Sequence, residues 1–530
     1  MTRQRDRSIG SLLDSRPARS AQAPTSRQPD TGTAAPATAP AVGPFSPRRV
    51  RTAAITNLGC KVNQSEMEAA SRFLRAGGVA LVDDDRPADL YLINTCTVTS
   101  TADQKSRQAV RRARRANPDA EIVVTGCSVQ VGPEVFAAVD PAAHLVDNLA
   151  KERLPAELAA LAGLDEAGEG PLGRALPTLS GVEVAEGAPA DGPGWLNGIH
   201  FDVIADDRTV VDRTRAFIKV QDGCSFYCTY CIIPRARGHE RSLPPDVVLA
   251  DVRRALAAGH REIVLTGINI GTYDGGASER GSRGAHRWAA LTLVGLVRRI
   301  LDETDVERIR LSSIEPQHVD DELLEVWAEA PSRCLPHLHL PLQSGDDGVL
   351  RRMGRRYDSA GYAAVVERAR AAIPDLAVHA DAIAGFPTED EGAWQRSIAF
   401  IRSLELAGLH VFRYSARSGT PATRMAGQVD EATKRHRAAE FLALGAECRA
   451  RFAARQIGAE LSVLFETRLP DDRWLGHAGN YVAVAVPPPG ADRLGNAIGR
   501  VRVTGIDPVV ADRVVGRLVS LDRPSGGSHG

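Results

Sequence analysis

Cys60, Cys96 and Cys127 each end a separate strand-like run in this chain, AAITNLGC, ADLYLINTC and EIVVTGC. Three more, Cys224, Cys228 and Cys231, crowd into one loop, QDGCSFYCTYCIIPRARG, behind a fourth run, AFIKV. Short apolar runs that alternate with charged helical stretches describe βα units around a parallel sheet. In such sheets ligands bind beyond the carboxyl ends of the strands. The cysteines therefore indicate both the class, α/β, and the edge of the sheet where the chemistry belongs.

The 530 residues exceed one typical domain, so two or three folded units with linkers are expected. Residues 1–50, rich in Ala, Pro, Thr, Ser and Arg without periodicity, read as a disordered tail. They lack the apolar core of a secretory signal. A first βα unit occupies 51–155, and 156–211, rich in Gly, Ala, Pro and Glu, reads as a linker. From 212 to 446 six strand-like segments alternate with helical ones: AFIKVQDG, EIVLTGIN, RIRLSSIE, HLHLPLQ, AVHADAIAGF and LHVFRYS. That series predicts a partial (β/α)6 barrel. Residues 456–522 carry VLFETRL, WLGHAGNYVAVAV, AIGRVRVTGI and RVVGRLVSL, the pattern of a small β-barrel.

No apolar run approaches the roughly 20 residues that cross a bilayer, and a cytoplasmic protein is expected. A net charge of -1 excludes a globally basic nucleic-acid binder, so any basic surface is local. Eight cysteines without a signal peptide point to metal or catalysis rather than a disulfide framework. Cys334 and Cys448 stand apart from the motifs and read as ordinary buried thiols.

Three thiolates in the C-x3-C-x2-C loop of Cys224, Cys228 and Cys231 can hold three corners of a [4Fe–4S] cube and leave one iron open. The competing reading is structural zinc, which requires a fourth ligand. The nearby candidate is His239, eight residues beyond Cys231. With Tyr230 before the last cysteine, the loop resembles the signature of the radical S-adenosylmethionine superfamily. The resemblance implies that the cofactor chelates the open iron and is cleaved to a 5′-deoxyadenosyl radical. Groups at other strand ends suit cofactor binding: Thr266 and Gly267, Ser313 and Glu315, Gln343, Asp381 and Gly385.

Cys60, Cys96 and Cys127 suggest a second open cluster at the edge of a flavodoxin-like sheet, against the alternative of three unrelated core thiols. Asn63, Asn94 and Thr95 flank them, as hydrogen-bond donors to sulfur or as caps. With both triads present, the chain after residue 50 resembles the methylthiotransferase family: a cluster-bearing first domain, a radical S-adenosylmethionine barrel and a C-terminal TRAM domain. LGCKVNQSE, CIIPRARG, RIRLSSIEP and HLHLPLQSGDDGVLRRM are most similar to the branch acting on N6-threonylcarbamoyladenosine beside the anticodon of tRNA. The isopentenyladenosine branch more typically carries GCQMN after the first strand, and the ribosomal-protein branch SLGC-x-KN.

The resemblance implies two uses of S-adenosylmethionine. One molecule methylates sulfur at the second cluster, and another supplies the radical that removes hydrogen from adenine C2. An electron donor and a sulfur donor are implied partners. For the anticodon loop, Arg235, Arg237 and Arg241 are candidate phosphate contacts, with Arg237 equally suited to an ion pair. The stretch Arg107, Arg111, Arg112, Arg114 and Arg115 is a solvated helix face or an RNA contact. Tyr481 and Trp474 either stack on a base or fill the small barrel. A non-catalytic RNA-binding protein with closed zinc sites is the alternative outside the enzyme class.

Overall fold

The computed structural model describes residues 50–164, 214–276, 291–488 and 494–522. The expected tail, apart from Val50, and most of the expected linker lie outside them.

Five parallel strands, β1 (Thr52–Asn57), β2 (Ala80–Val82), β3 (Leu90–Thr95), β4 (Glu121–Gly126) and β5 (His144–Val146), form a sheet in the order β2-β1-β3-β4-β5. This is the flavodoxin order, in which the chain reverses direction across the sheet between β1 and β3 and opens a crevice there. Alternation of side chains explains why both faces are covered. Ala53, Leu90, Leu92 and Val123 pack against Phe73 and Leu158 on one face, and Ala54, Tyr91, Ile93 and Ile122 pack against Val110 and Phe136 on the other. Leu158 and Ala162 belong to the helix Leu154–Ala162, so this core continues past the boundary expected at residue 155. Leu154 and Leu158 draw that turn of chain onto the sheet.

The second unit is built on β6 (Arg215–Lys219), β7 (Gln221–Asp222), β8 (Arg241–Ser242), β9 (Glu262–Thr266), β10 (Arg308–Leu311), β11 (His337–His339), β12 (Ala377–Ala384) and β13 (Gly408–Arg413). Parallel pairing runs β6-β9-β10 and β11-β12-β13, and single bridges Ile309 to Cys334 and Ser313 to His339 join the halves. Six strands in sequential order make the open (β/α)6 sheet. β7 and β8 form a short antiparallel clip at the base of the cysteine loop. Outward residues such as Ile263, Leu265, Ile309 and Leu311 enter one apolar core with the surrounding helices. Their strand neighbours Glu262, Thr266, Arg308 and Arg310 are buried polar groups on the opposite, inner face. The helix Glu431–Ala454 runs beyond the expected limit at 446, and Phe452 and Ala453 at its end enter the core of the last unit.

That last unit is a closed barrel of β14 (Glu460–Arg468), β15 (Trp474–Ala478), β16 (Ala483–Val486), β17 (Ile498–Ile506) and β18 (Arg513–Leu521), ordered β14-β15-β16-β18-β17. The run WLGHAGNYVAVAV divides into two strands, and Tyr481, at φ 70°, lies in the turn. Closure removes exposed sheet edges. The barrel meets the amino-terminal end of the (β/α)6 sheet: Arg308 donates to the carbonyls of Ser462 and His477 at 3.2 Å, and Arg310 to that of Gly479 at 3.0 Å. Among the described residues no helix is long and apolar enough to cross a membrane.

Candidate active site

The loop after β7 is held from both sides. Cys224 N–H donates to Gly238 O at 3.1 Å, Thr229 N–H to Met353 O at 2.9 Å, and Cys231 N–H to Cys228 O at 2.9 Å. Gly223 has φ +70°, and a Cβ there would stand 1.9 Å from His239 O, so the clip admits only glycine. All three cysteines are free thiols. Burial, reinforced by the neighbouring sulfurs, pushes Cys231 up to about 12, and burial also raises Cys224. Thiols this crowded ionise when a metal takes the place of their protons, so the donor set fits an iron–sulfur cluster. The nearby imidazole, His239, has its Nδ1 3.1 Å from Ser225 Oγ.

In the first unit, Cys60 precedes the helix Lys61–Ala76, Cys96 follows β3, and Cys127 opens the helix Cys127–Val131 after β4. Gly126 sits at φ +103°, where a Cβ would lie 2.4 Å from Asn94 Oδ1. Burial, together with the thiols of Cys127 and Cys60, drives Cys96 up to about 12. These sulfurs also form a free, mutually repelling donor set, which suits a second cluster. Asn63 serves mainly as a brace: Cys60 Sγ donates to its Oδ1 at 3.5 Å, and its Nδ2 donates to Asn94 Oδ1 at 2.7 Å and Thr95 O at 3.1 Å. Thr95 Oγ1 donates to Thr125 O at 2.7 Å rather than to a cysteine.

Two bridges connect the triads. Asn148 Nδ2 donates to Cys127 Sγ at 3.4 Å and to Ala236 O at 2.8 Å. Arg237, in the same turn after Cys231, donates to Asn63 and to Asp222 at 2.9 Å. Glu66 pairs with Lys151, with Lys219 at 3.2 Å and with Arg237 at 3.4 Å. This buried network corrects the RNA assignment of Arg237, which is 1% exposed and consumed by carboxylates. Arg241 is corrected too: its guanidinium turns inward to the carbonyls of Arg237 and His239 and to Asp222. Arg235 remains exposed, with Nη1 on Ser418 O at 2.8 Å. In the arginine-rich helix Ser100–Ala116, Arg112 pairs with Asp84 and Arg114 with the buried Asp140.

The expected cofactor-binding groups lie at the carboxyl ends of the (β/α)6 strands. Tyr230 sits edge-on to Phe386, with its hydroxyl 3.5 Å from Arg355 Nη1. Glu315 pairs with Arg355, which also donates to Cys228 Sγ at 3.4 Å. Thr266 Oγ1 is buried without a partner. Ser313 Oγ lies 3.3 Å from His339 Nδ1. Gln343 adopts φ 71° and donates its N–H to Asp381 O at 2.8 Å. Burial opposes ionisation of Asp381, but His339 at 2.8 Å and His410 at 3.3 Å outweigh it and hold the carboxyl well below its usual range. Gly267 and Gly385 have packing reasons of their own, against Gln221 and Lys434.

Residues 52–147 match the family described as Uncharacterized protein family UPF0004, and residues 218–401 match the Radical SAM superfamily. The chain is 36% identical to the threonylcarbamoyladenosine tRNA methylthiotransferase MtaB of Bacillus subtilis, over 82% of this chain and 90% of that one. The chain belongs to the MtaB methylthiotransferase family. Its Thermotoga maritima relative of the same name is 32% identical over 88% of this chain and 99% of its own. A tRNA-2-methylthio-N(6)-dimethylallyladenosine synthase of Maricaulis maris is 33% identical over 78% and 86%. Membership of this radical S-adenosylmethionine family brings with it a [4Fe–4S] cluster and S-adenosylmethionine as cofactors.

Several site residues of this methylthiotransferase were not singled out from sequence. Glu66, Asp222, Lys151 and Lys219 sit in ordinary amphipathic or strand contexts, and only the fold brings them together. Arg355 follows the GDDGVLRRM stretch without a motif of its own. His337 and His339 did leave a trace: in HLH they alternate with Leu338, so both face the inner side of β11.

Proposed function

We propose that this chain attaches a methylthio group to C2 of N6-threonylcarbamoyladenosine next to the anticodon of tRNA. The observation that carries the reading is the pair of bridges, Cys127–Asn148–Ala236 and Cys60–Asn63–Arg237, that ties one free cysteine triad to the turn following the other. Two sets of three thiols, each leaving one iron of a four-iron cube without a cysteine ligand, answer two needs: generation of a radical and delivery of sulfur.

Cys224, Cys228 and Cys231 would hold one [4Fe–4S] cluster and Cys60, Cys96 and Cys127 a second. Loaded in this way, the cofactors supply the carbon radical, the sulfur and the methyl group. The chain supplies position. Arg355 turns a cation to Cys228, Asn148 fixes Cys127 with an amide N–H, and Ser313 and Gln343 offer polar groups to S-adenosylmethionine at the strand ends. The target base lies in a loop and is already unpaired, so presenting it costs less than extracting it from a duplex. Acting on tRNA, the enzyme would work in the cytoplasm, with an electron donor and a sulfur donor as partners.

The threonylcarbamoyl substrate rests on the relatives that carry that name over nearly their full length. Mass analysis of tRNA nucleosides from a strain lacking the gene tests it. Loss of the 2-methylthio form with accumulation of N6-threonylcarbamoyladenosine is the expected result. Loss of a methylthio-isopentenyl nucleoside instead would assign the dimethylallyl substrate.

A further inference from the structure

The inner face of the (β/α)6 sheet is charged, and its charges do not cancel. Arg215 pairs with Glu466 at 3.0 Å, while Arg308 and Arg310 share Glu262 at 2.8 and 2.9 Å. The Asp381 carboxylate is taken by His339 and His410. Lys61 joins this group from the first unit, where it begins the helix that follows Cys60. That helix packs against β6; burial lowers the lysine's pKa from its ordinary value, Tyr481 and Asp381 act against this and Arg310 and Arg215 with it, and Lys61 is one of the cations acting on His337. Four cations, Lys61, Arg215, Arg308 and Arg310, thus meet three carboxylates, Glu262, Glu466 and Asp381.

Lys61 is the cation left over. The chain has five lysines, at 61, 105, 151, 219 and 434. Lys151, Lys219 and Lys434 are ion-paired and Lys105 is exposed. Lys61 is half-buried, and among the described residues it makes no hydrogen bond or ion pair. Around the same face, Thr266 Oγ1, Ser312 Oγ and His337 Nδ1 are buried without partners. Their strand neighbours Leu265, Leu311 and Leu338 lie in the outer core, so alternation turns these three inward. A buried polar atom without a partner costs about 1–3 kcal/mol, and three on the inner face of this sheet, to which an unpaired cation also belongs, suit a polar anion.

We propose that this inner face receives the threonyl carboxylate carried on N6 of the substrate base, with Lys61 as its counter-ion. The inference rests on the substrate reading above. In adenine, C2 and C6 flank the same ring nitrogen, so the N6 arm departs two bonds from the reacting carbon. A base whose C2 faces the Cys60 triad places that arm beside Lys61, the residue after Cys60. The neutral dimethylallyl group offers nothing to this cation and would leave it unpaired, which makes Lys61 a specificity-determining contact.

The test uses reconstituted enzyme and three anticodon stem–loops, carrying N6-threonylcarbamoyladenosine, its carboxylate methyl ester, or N6-isopentenyladenosine. Wild-type enzyme should bind the acid about tenfold more tightly than the ester, a difference of about 1.4 kcal/mol. Lys61→Gln, which installs the residue of the GCQMN motif, should bind acid and ester alike, and Lys61→Arg should restore the preference. In wild-type enzyme a zero-length carbodiimide cross-link from the threonyl carboxylate should map to Lys61, a result that does not depend on whether a variant folds. Equal affinity of wild type for acid and ester, or a cross-link to Lys151 or Lys219 instead, overturns the proposal. An enzyme that methylthiolates the threonylcarbamoyl RNA but ignores its carboxylate keeps the substrate reading and loses this subsite. One that converts only the isopentenyl RNA loses both.

Discussion

The Arg237 guanidinium donates to both oxygens of Asp222, at 2.9 and 3.0 Å, and the pair joins the turn after Cys231 to the residue before Gly223. Lys219, at 2.7 Å, and Arg241, at 3.6 Å, also converge on Asp222. Burial pushes its carboxyl up, but the surrounding cations outweigh burial and hold it well below the usual carboxylate range. Asp222→Asn keeps the shape and removes the charge, leaving Glu66 as the one carboxylate of this network against several cations. The expected loss is about 3–5 kcal/mol, the cost of stranding a buried charge, read as a lowered denaturation midpoint together with a fall in bound iron.

The two triads should separate by function. Wild-type enzyme should take up about eight irons per chain on anaerobic reconstitution, as two four-iron cubes. Cys60→Ala should retain about half of that iron and continue to cleave S-adenosylmethionine, yet transfer no sulfur. Cys228→Ala should lose both activities. Equal loss of cofactor cleavage in the two variants, or zinc in place of iron, would count against the division of labour.

The cysteine positions were legible because Cys60, Cys96 and Cys127 each end a short apolar run that reads as a strand and the other three share a loop behind a fourth such run, and strand ends are where an α/β sheet presents ligands. Boundaries were less legible. The Leu154–Ala162 helix looked like the start of a linker because its Ala-rich sequence merges with the Gly- and Pro-rich stretch behind it. Arg237 was ambiguous for a different reason. An arginine near a cluster serves a phosphate or a carboxylate equally well, and its partners Asp222 and Glu66 lie 15 and 171 residues away. Pairings at that range are fixed by packing of the helix Lys61–Ala76 against β6, which no local pattern encodes.

Acid should weaken the enzyme above the range where carboxylates titrate. Unfolded histidines take up protons near pH 6.5. In the fold, burial and then the neighbouring His339, His410 and Arg310 hold His379 down to about 3, and burial and Arg310 hold His337 well below its ordinary value. Between about pH 6.5 and 3 the unfolded chain therefore binds more protons than the folded one, and stability falls as pH falls. The slope reaches about 1.4 kcal/mol per pH unit for each histidine. Denaturation midpoints measured from pH 7.5 to 5 should show it, and His379→Gln should reduce it.

Tyr227 lies between Cys224 and Cys228 with φ 51° and is 58% exposed, an unusual placement for a large ring in so tightly held a loop. Its hydroxyl stands 3.4 Å from His239 Nδ1, and its neighbour Phe226 lies under the Arg356 guanidinium, 4.0 Å from the ring centroid. An aromatic face projecting from the radical-generating loop suits stacking with a loop base, worth about 1–3 kcal/mol by alanine substitution. Tyr227→Ala should weaken anticodon stem–loop binding by that amount in fluorescence anisotropy, while Tyr227→Phe retains most of it. Thermal stability should not change, because the ring buries little in the folded chain. Unaltered RNA affinity in Tyr227→Ala would assign the exposed ring no part in holding the base.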